Sequence, residues 1–119
     1  MEIKVGEYIR TERGYIGKIK RIEFDNIDKG LKWYVFDYKE PKMNITKEIY
    51  INKPYIKKHS FNIKELIEVG DYLNGYRVYK TTNNFIYCVG KAIQNKFNIN
   101  IKEILTHEQY KRNCYRLEE

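Results

Sequence analysis

The sequence predicts a mostly β fold, a small barrel or two related β units with two short helices, on three observations. The apolar content is carried by twelve Tyr, five Phe and many Ile, with Ala92 as the only alanine. Aromatic and β-branched side chains suit a pleated surface, and scarce Ala disfavours long helices. The second observation is Val69–Val78, VGDYLNGYRV, where Asn74-Gly75 sits between two short apolar runs. Asn-Gly is the strongest short hairpin signal, because a type I′ turn needs positive φ at both central residues. Tyr72-Leu73 is then expected to pair with Tyr76-Arg77. The third is that the opening recurs: Val5–Ile9 reads VGEYI and Val69–Leu73 reads VGDYL.

Taken in order, Glu2 to Ile9 enters the first unit and Thr11–Gly14 is a turn, with Gly14 suited to positive φ. Tyr15 to Phe24 is the return strand, in which Gly17 marks a bulge or a tight bend. Asp25 to Gly30 is a loop. Leu31 to Tyr38 is a strong strand with aromatics on both faces, so it is expected to be central or to cover a second surface. Glu40-Pro41-Lys42 breaks the pattern, and Ile45 to Asn52 is a further strand. Pro54 bars a central strand position. His59 to Leu66 carries a helix-start signal, Asn62 with Glu65 or Ser60 serving as cap. The second unit continues through Tyr76–Lys80, a turn at 81–84 and a strand Phe85–Val89. A loop from Gly90 to Lys96, a strand Phe97–Ile101 and a helix from Thr106 to about Arg112 follow. Thr106 and Gln109 have capping-box spacing. Cys114 to Leu117 closes the chain as an edge strand. The expected organisation is one compact domain, 1–119, with sub-units 1–58 and 67–119 joined by a short helix near 60–67.

A chain of 119 residues is long enough to bury a core without staples. Two cysteines, Cys88 and Cys114, are too few and too far apart for a metal framework. They are expected reduced and buried, in a cytoplasmic setting; a disulfide between them needs an oxidising one. No signal peptide, membrane-spanning run or lipidation motif is read in the sequence. The net charge of +7 suits a nucleic acid, an acidic protein or an anionic surface, and equally a chain that uses Lys as its ordinary surface residue.

The stretch VGEYIRTERGYIGKIKRIEF, residues 5–24, resembles the start of SH3-like small barrels of the KOW and Tudor type. Those begin Gly-acid-x-aliphatic, turn at Gly and return through a strand with a second Gly; Gly6-Glu7-Tyr8-Ile9, Gly14 and Gly17 hold those places. The resemblance implies an SH3-like small barrel. The whole chain, rich in Ile, Lys, Asn and Tyr and ending ILTHEQYKRNCYRLEE, resembles small phage and prophage proteins of AT-rich Gram-positive bacteria. That resemblance implies a non-enzymatic accessory protein in the cytoplasm of a bacterial host. It would bind a protein or ribonucleoprotein, plausibly as an anti-CRISPR-like inhibitor of host defence.

Phosphate-binding loops and metal-ligand spacings are absent from the sequence, and no cofactor or metal is expected. His107, beside Glu108, reads as a surface helix residue, and His59, beside Lys57 and Lys58, as a solvated basic turn. Two stretches combine cations with aromatics. Lys42 to His59 holds Lys42, Lys47, Lys53, Lys57, Lys58, Tyr50 and Tyr55 with Glu48 as its only acid. The second, between Asp71 and Glu103, holds no acid and carries Arg77, Lys80, Lys91, Lys96 and Lys102 among Tyr76, Tyr79, Phe85, Tyr87 and Phe97. Cations for phosphates and ring faces for bases make a single-strand-binding surface; equally, the rings line a core and the lysines keep it solvated. The expected binding residues are Arg77, Tyr79, Lys80, Lys91 and Lys96, with Lys53, Lys57 and Lys58, for a macromolecular partner and not a membrane; the alternative is direct nucleic-acid binding.

Overall fold

The computed structural model describes residues 2–28, 30–39 and 45–113. The chain divides into two units, Met1–Leu66 and Ile67–Glu119. Glu40-Pro41-Lys42, Cys114 and the closing strand expected at 114–117 lie outside the described residues.

The first unit is one antiparallel sheet of β1 (Tyr8–Thr11), β2 (Ile16–Phe24), β3 (Lys32–Lys39), β4 (Thr46–Ile51) and β5 (Ile56–Ser60) in the order β4-β3-β2-β1-β5. Four strands meander, and the chain then returns through a 3-10 turn at Lys53–Tyr55 to pair β5 with β1. Pro54 sits in that turn, where its missing N–H costs nothing. Gly14 closes the first hairpin at φ 87°, its N–H bonded to the Thr11 carbonyl. The core is Ile3, Ile9, Ile19, Tyr34, Phe36 and Tyr38. β3 lies between β2 and β4 and buries Tyr34, Val35 and Phe36 in succession, as aromatics on both faces predict. Gly17 is not itself a bulge: β2 bulges one turn further on, between Ile19 and Arg21. A Cβ at Gly17 would lie 2.1 Å from Phe36 Cδ2, so the glycine makes room for that ring.

The second unit holds β6 (Tyr72–Leu73), β7 (Tyr76–Thr81), β8 (Phe85–Cys88), β9 (Gln94–Asn95), β10 (Ile104–Leu105) and helix α1 (His107–Asn113). Its sheet order, β10-β6-β7-β8-β9, is that of the first unit strand for strand. Asn74 and Gly75 have φ of 51° and 86°, the type I′ values, and pair Tyr72 with Arg77 and Leu73 with Tyr76. The core is Ile67, Leu73, Val78, Ile86 and Cys88, with Ile99, Ile101 and Ile104 packed on it. The strand expected at Phe97–Ile101 is instead a turn and an irregular segment. Asn95 holds the turn by accepting the Phe97 N–H at 2.8 Å. The Asn74 side chain then takes the backbone beyond it, donating to the Asn100 carbonyl and accepting from the Lys102 and Glu103 N–H groups.

The repetition extends to single bonds. Gly6 and Gly70 have φ of 95° and 97°. Gly6 N–H donates to Ile19 O and Ile19 N–H to Glu7 O; Gly70 N–H donates to Val78 O and Val78 N–H to Asp71 O. The acid of each opening turns back on its own loop, Glu7 accepting from the Lys4 N–H and Asp71 from the Glu68 N–H. The bulge after Ile19 recurs after Val78.

Neither sheet closes into a barrel, and one of the two expected helices is a single 3-10 turn, Ile63–Leu66. β5 takes the chain through Ser60 into the sheet, so the start of the expected helix, His59 and Ser60, is strand instead. Helix α1 forms as its capping box predicts: Thr106 Oγ1 accepts the Gln109 N–H and Gln109 Oε1 accepts the Thr106 N–H, both at 3.3 Å. Among the described residues, no helix is long and apolar enough to cross a membrane.

Candidate anion-binding face

On β7, Val78 points inward and Arg77 and Tyr79 project outward, as strand alternation requires. The bulge after Val78 then leaves Tyr79 unopposed and turns Lys80 outward beside it. Lys80 pairs with Tyr87 across the ladder, and its ammonium sits 5.2 Å from the Tyr87 ring centroid. The Tyr79 and Tyr87 rings are 6.1 Å apart. One bulge thus gathers Tyr79, Lys80 and Tyr87 into a single patch, with Arg77 next along the strand.

Arg77 also borders an open cleft with Tyr72, Tyr110, Lys111 and His107, in which the Tyr72 and Tyr110 rings lie 5.1 Å apart. Lys91 reaches the other end of the hairpin, 4.9 Å from the Tyr76 ring, and lines a second opening with Asn74, Asn95 and Asn98. Cation–ring contacts of this kind are worth about 0.5–1 kcal/mol at exposed sites. Among the described residues, Arg77, Lys80 and Lys91 make no ion pair.

The first unit makes the contrast. Its equivalent bulge carries Lys20 and Arg21, both engaged by acids. Lys20 contacts Glu48 and Asp37, and Arg21 bonds Glu23 at 2.7 Å and Glu48 at 3.0 Å. Arg21, Lys20 and Tyr50 hold the Glu48 carboxyl down to about 2. At this bulge the cations of the first unit are paired with acids, and among the described residues Lys80 of the second is not.

The remaining expected residues are spread more widely. Lys96 is only 7% exposed, so its stem packs inward and it leaves the outward face. Lys53 is exposed on the 3-10 turn, and Lys57 and Lys58 are exposed on β5, at one edge of the first sheet. They belong to the first unit and Arg77, Tyr79, Lys80 and Lys91 to the second. Lys42 lies outside the described residues.

His107 opens α1, as the sequence suggests, while His59 sits on a strand and not in a solvated turn. His59 is on β5, and its Nδ1 lies 2.8 Å from Glu7 Oε1. Burial acts to raise the Glu7 carboxyl, but the His59 bond and the Lys4 N–H outweigh it and leave it lowered. His107 Nε2 lies 2.8 Å from Glu68 Oε1 and 3.3 Å from Glu108 Oε1. Glu68 comes from the turn before β6, so no local spacing around His107 points to it. The one signal was the repeated opening, since it places residue 68 beside the buried acid. Cys88 is a buried free cysteine, and desolvation pushes its thiol up.

No family model, curated protein or solved structure matches the chain.

Proposed function

We propose that the chain is a non-enzymatic binding protein of two SH3-like units, and that the second unit docks an anionic surface of a macromolecular partner through Arg77, Tyr79, Lys80 and Lys91. The observation that carries this reading is the contrast at the repeated bulge. The first unit pairs Lys20 and Arg21 with acids, while Lys80 of the second lies against the Tyr87 ring and, among the described residues, makes no ion pair. Unpaired surface cations cost little in water and become useful when a partner supplies the charge. The SH3-like assignment is supported by the strand order and by the 3-10 turn before the last strand of the first unit. The resemblance to phage proteins makes a host-defence protein or ribonucleoprotein the partner, with inhibition by occupancy in the bacterial cytoplasm.

Tyr79 and Tyr87 beside Lys80 favour a second reading, direct binding of single-stranded nucleic acid by base stacking. Salt separates the two. Titration of labelled oligonucleotides between about 50 and 200 mM salt gives a steep slope if phosphates are the ligand. Weak oligonucleotide binding, together with salt-tolerant capture of one host protein, supports the first reading and contradicts the second.

A further inference from the structure

We propose that Glu68, His107 and Glu108 form a site for one first-row divalent cation of the zinc class. Glu68 Oε1 and Glu108 Oε1 lie 2.8 and 3.3 Å from the same atom, His107 Nε2. One ligand atom from each residue falls within 4.8 Å of the other two. Zinc–nitrogen and zinc–oxygen bonds of about 2.0–2.2 Å at tetrahedral angles put neighbouring donors roughly 3.3–3.5 Å apart. The three groups therefore stand close to a coordination triangle. Their side chains are 14%, 25% and 15% exposed, so two carboxylates share one half-buried place.

The donors are also held in place from behind. Asp71 Oδ2 accepts the Glu68 N–H at 2.7 Å and Asp71 Oδ1 accepts the His107 N–H at 2.9 Å. One buried carboxylate thus ties together the backbones that carry two of the ligands, the outer-shell arrangement metal sites use.

The first unit supplies an independent comparison. Lys4 occupies there the place of Glu68, since each donates its N–H to the acid of the opening. Ser60 pairs with Tyr8 and Leu105 with Tyr72, so Asn62 and Ile63 follow β5 where His107 and Glu108 follow β10. The framework forms without a single one of these donors. All three are additions to it, and they converge. One imidazole and two carboxylates suit zinc, cobalt or manganese better than the all-oxygen preference of magnesium. The second unit has short strands and a small core, and a cation bridging the loop before β6 to α1 would staple it.

The test uses the full chain after dialysis against a chelator. Zinc is titrated calorimetrically and cobalt by visible absorption, with magnesium as comparison. One zinc per chain at micromolar affinity or tighter is expected, with magnesium binding much more weakly. The chain has only two histidines, so proton NMR assigns the site: the His107 ring signals shift and those of His59 do not. Glu108→Gln and His107→Gln, each checked for folding by circular dichroism, should weaken zinc by at least about tenfold. No zinc binding by the wild-type chain overturns the proposal, and so does zinc affinity that both substitutions leave unchanged.

Discussion

At Gly17 the missing side chain is a packing requirement. The site where its Cβ would stand lies 2.1 Å from a ring that is fully buried and has nowhere to move. Gly17→Ala should therefore cost about 1–3 kcal/mol through overpacking, read as a lower denaturant midpoint at unchanged slope. Arg10 is fully buried, and its Nη1 donates to the Leu66 carbonyl at 2.9 Å. Glu7 makes a pH-dependent contribution. Its folded pKa is lowered from 4.5, so the stability it adds is present above that value and is lost as pH falls through the folded pKa. Glu7→Gln should be less stable than wild type at pH 6, and the gap should narrow below about pH 4.5. A gap that stays constant from pH 6 to 3 would show that the carboxylate charge adds nothing.

At the scale of elements, turns were the most legible features. Asn74-Gly75 forms the expected turn with the expected register because only residues tolerant of positive φ stand there. A Cβ at Gly75 would meet nothing within 4 Å, so Gly75→Ala reports backbone strain alone. It should lower stability by about 1–2 kcal/mol. The central position of β3 and the capping box of α1 could also be read from residue types. The strand expected at Phe97–Ile101 could not, because its backbone is claimed by the side chain of Asn74, far away in sequence. Gly17 signalled that something was special in β2 but not what, since Phe36 is the reason and comes from another strand. The short strands β9 and β10 have no periodicity to read, being only two residues each.

For the chain as a whole, the repeated Val-Gly-acid-Tyr opening is the visible trace of a much longer equivalence. Strand order, glycine conformation, ladder bonds and bulge all recur, although little sequence outside the openings is shared. Backbone geometry conserves what side chains need not. The basic stretch Tyr72–Lys102 was legible as a lack of acid. Which of its cations point outward was not, because the bulge sets the facing of Lys80 and packing removes Lys96. The two units differ at the same bulge: Arg21 of the first has acids as well as the Tyr50 ring beside it, whereas Lys80 of the second has the Tyr87 ring and, among the described residues, no ion pair, and this difference is what the proposed docking face rests on.

The most direct test is capture from a bacterial host lysate by the wild-type chain and by Arg77→Glu/Lys80→Glu, each with and without nuclease. Both residues are exposed, so the double reversal should leave thermal stability within about 0.5 kcal/mol of wild type. The account predicts that the wild type retains a defined partner after nuclease treatment, that the reversal loses it, and that residual binding is less sensitive to salt. The same captured set from both proteins, at the same salt dependence, would contradict it and leave this face a solvated surface.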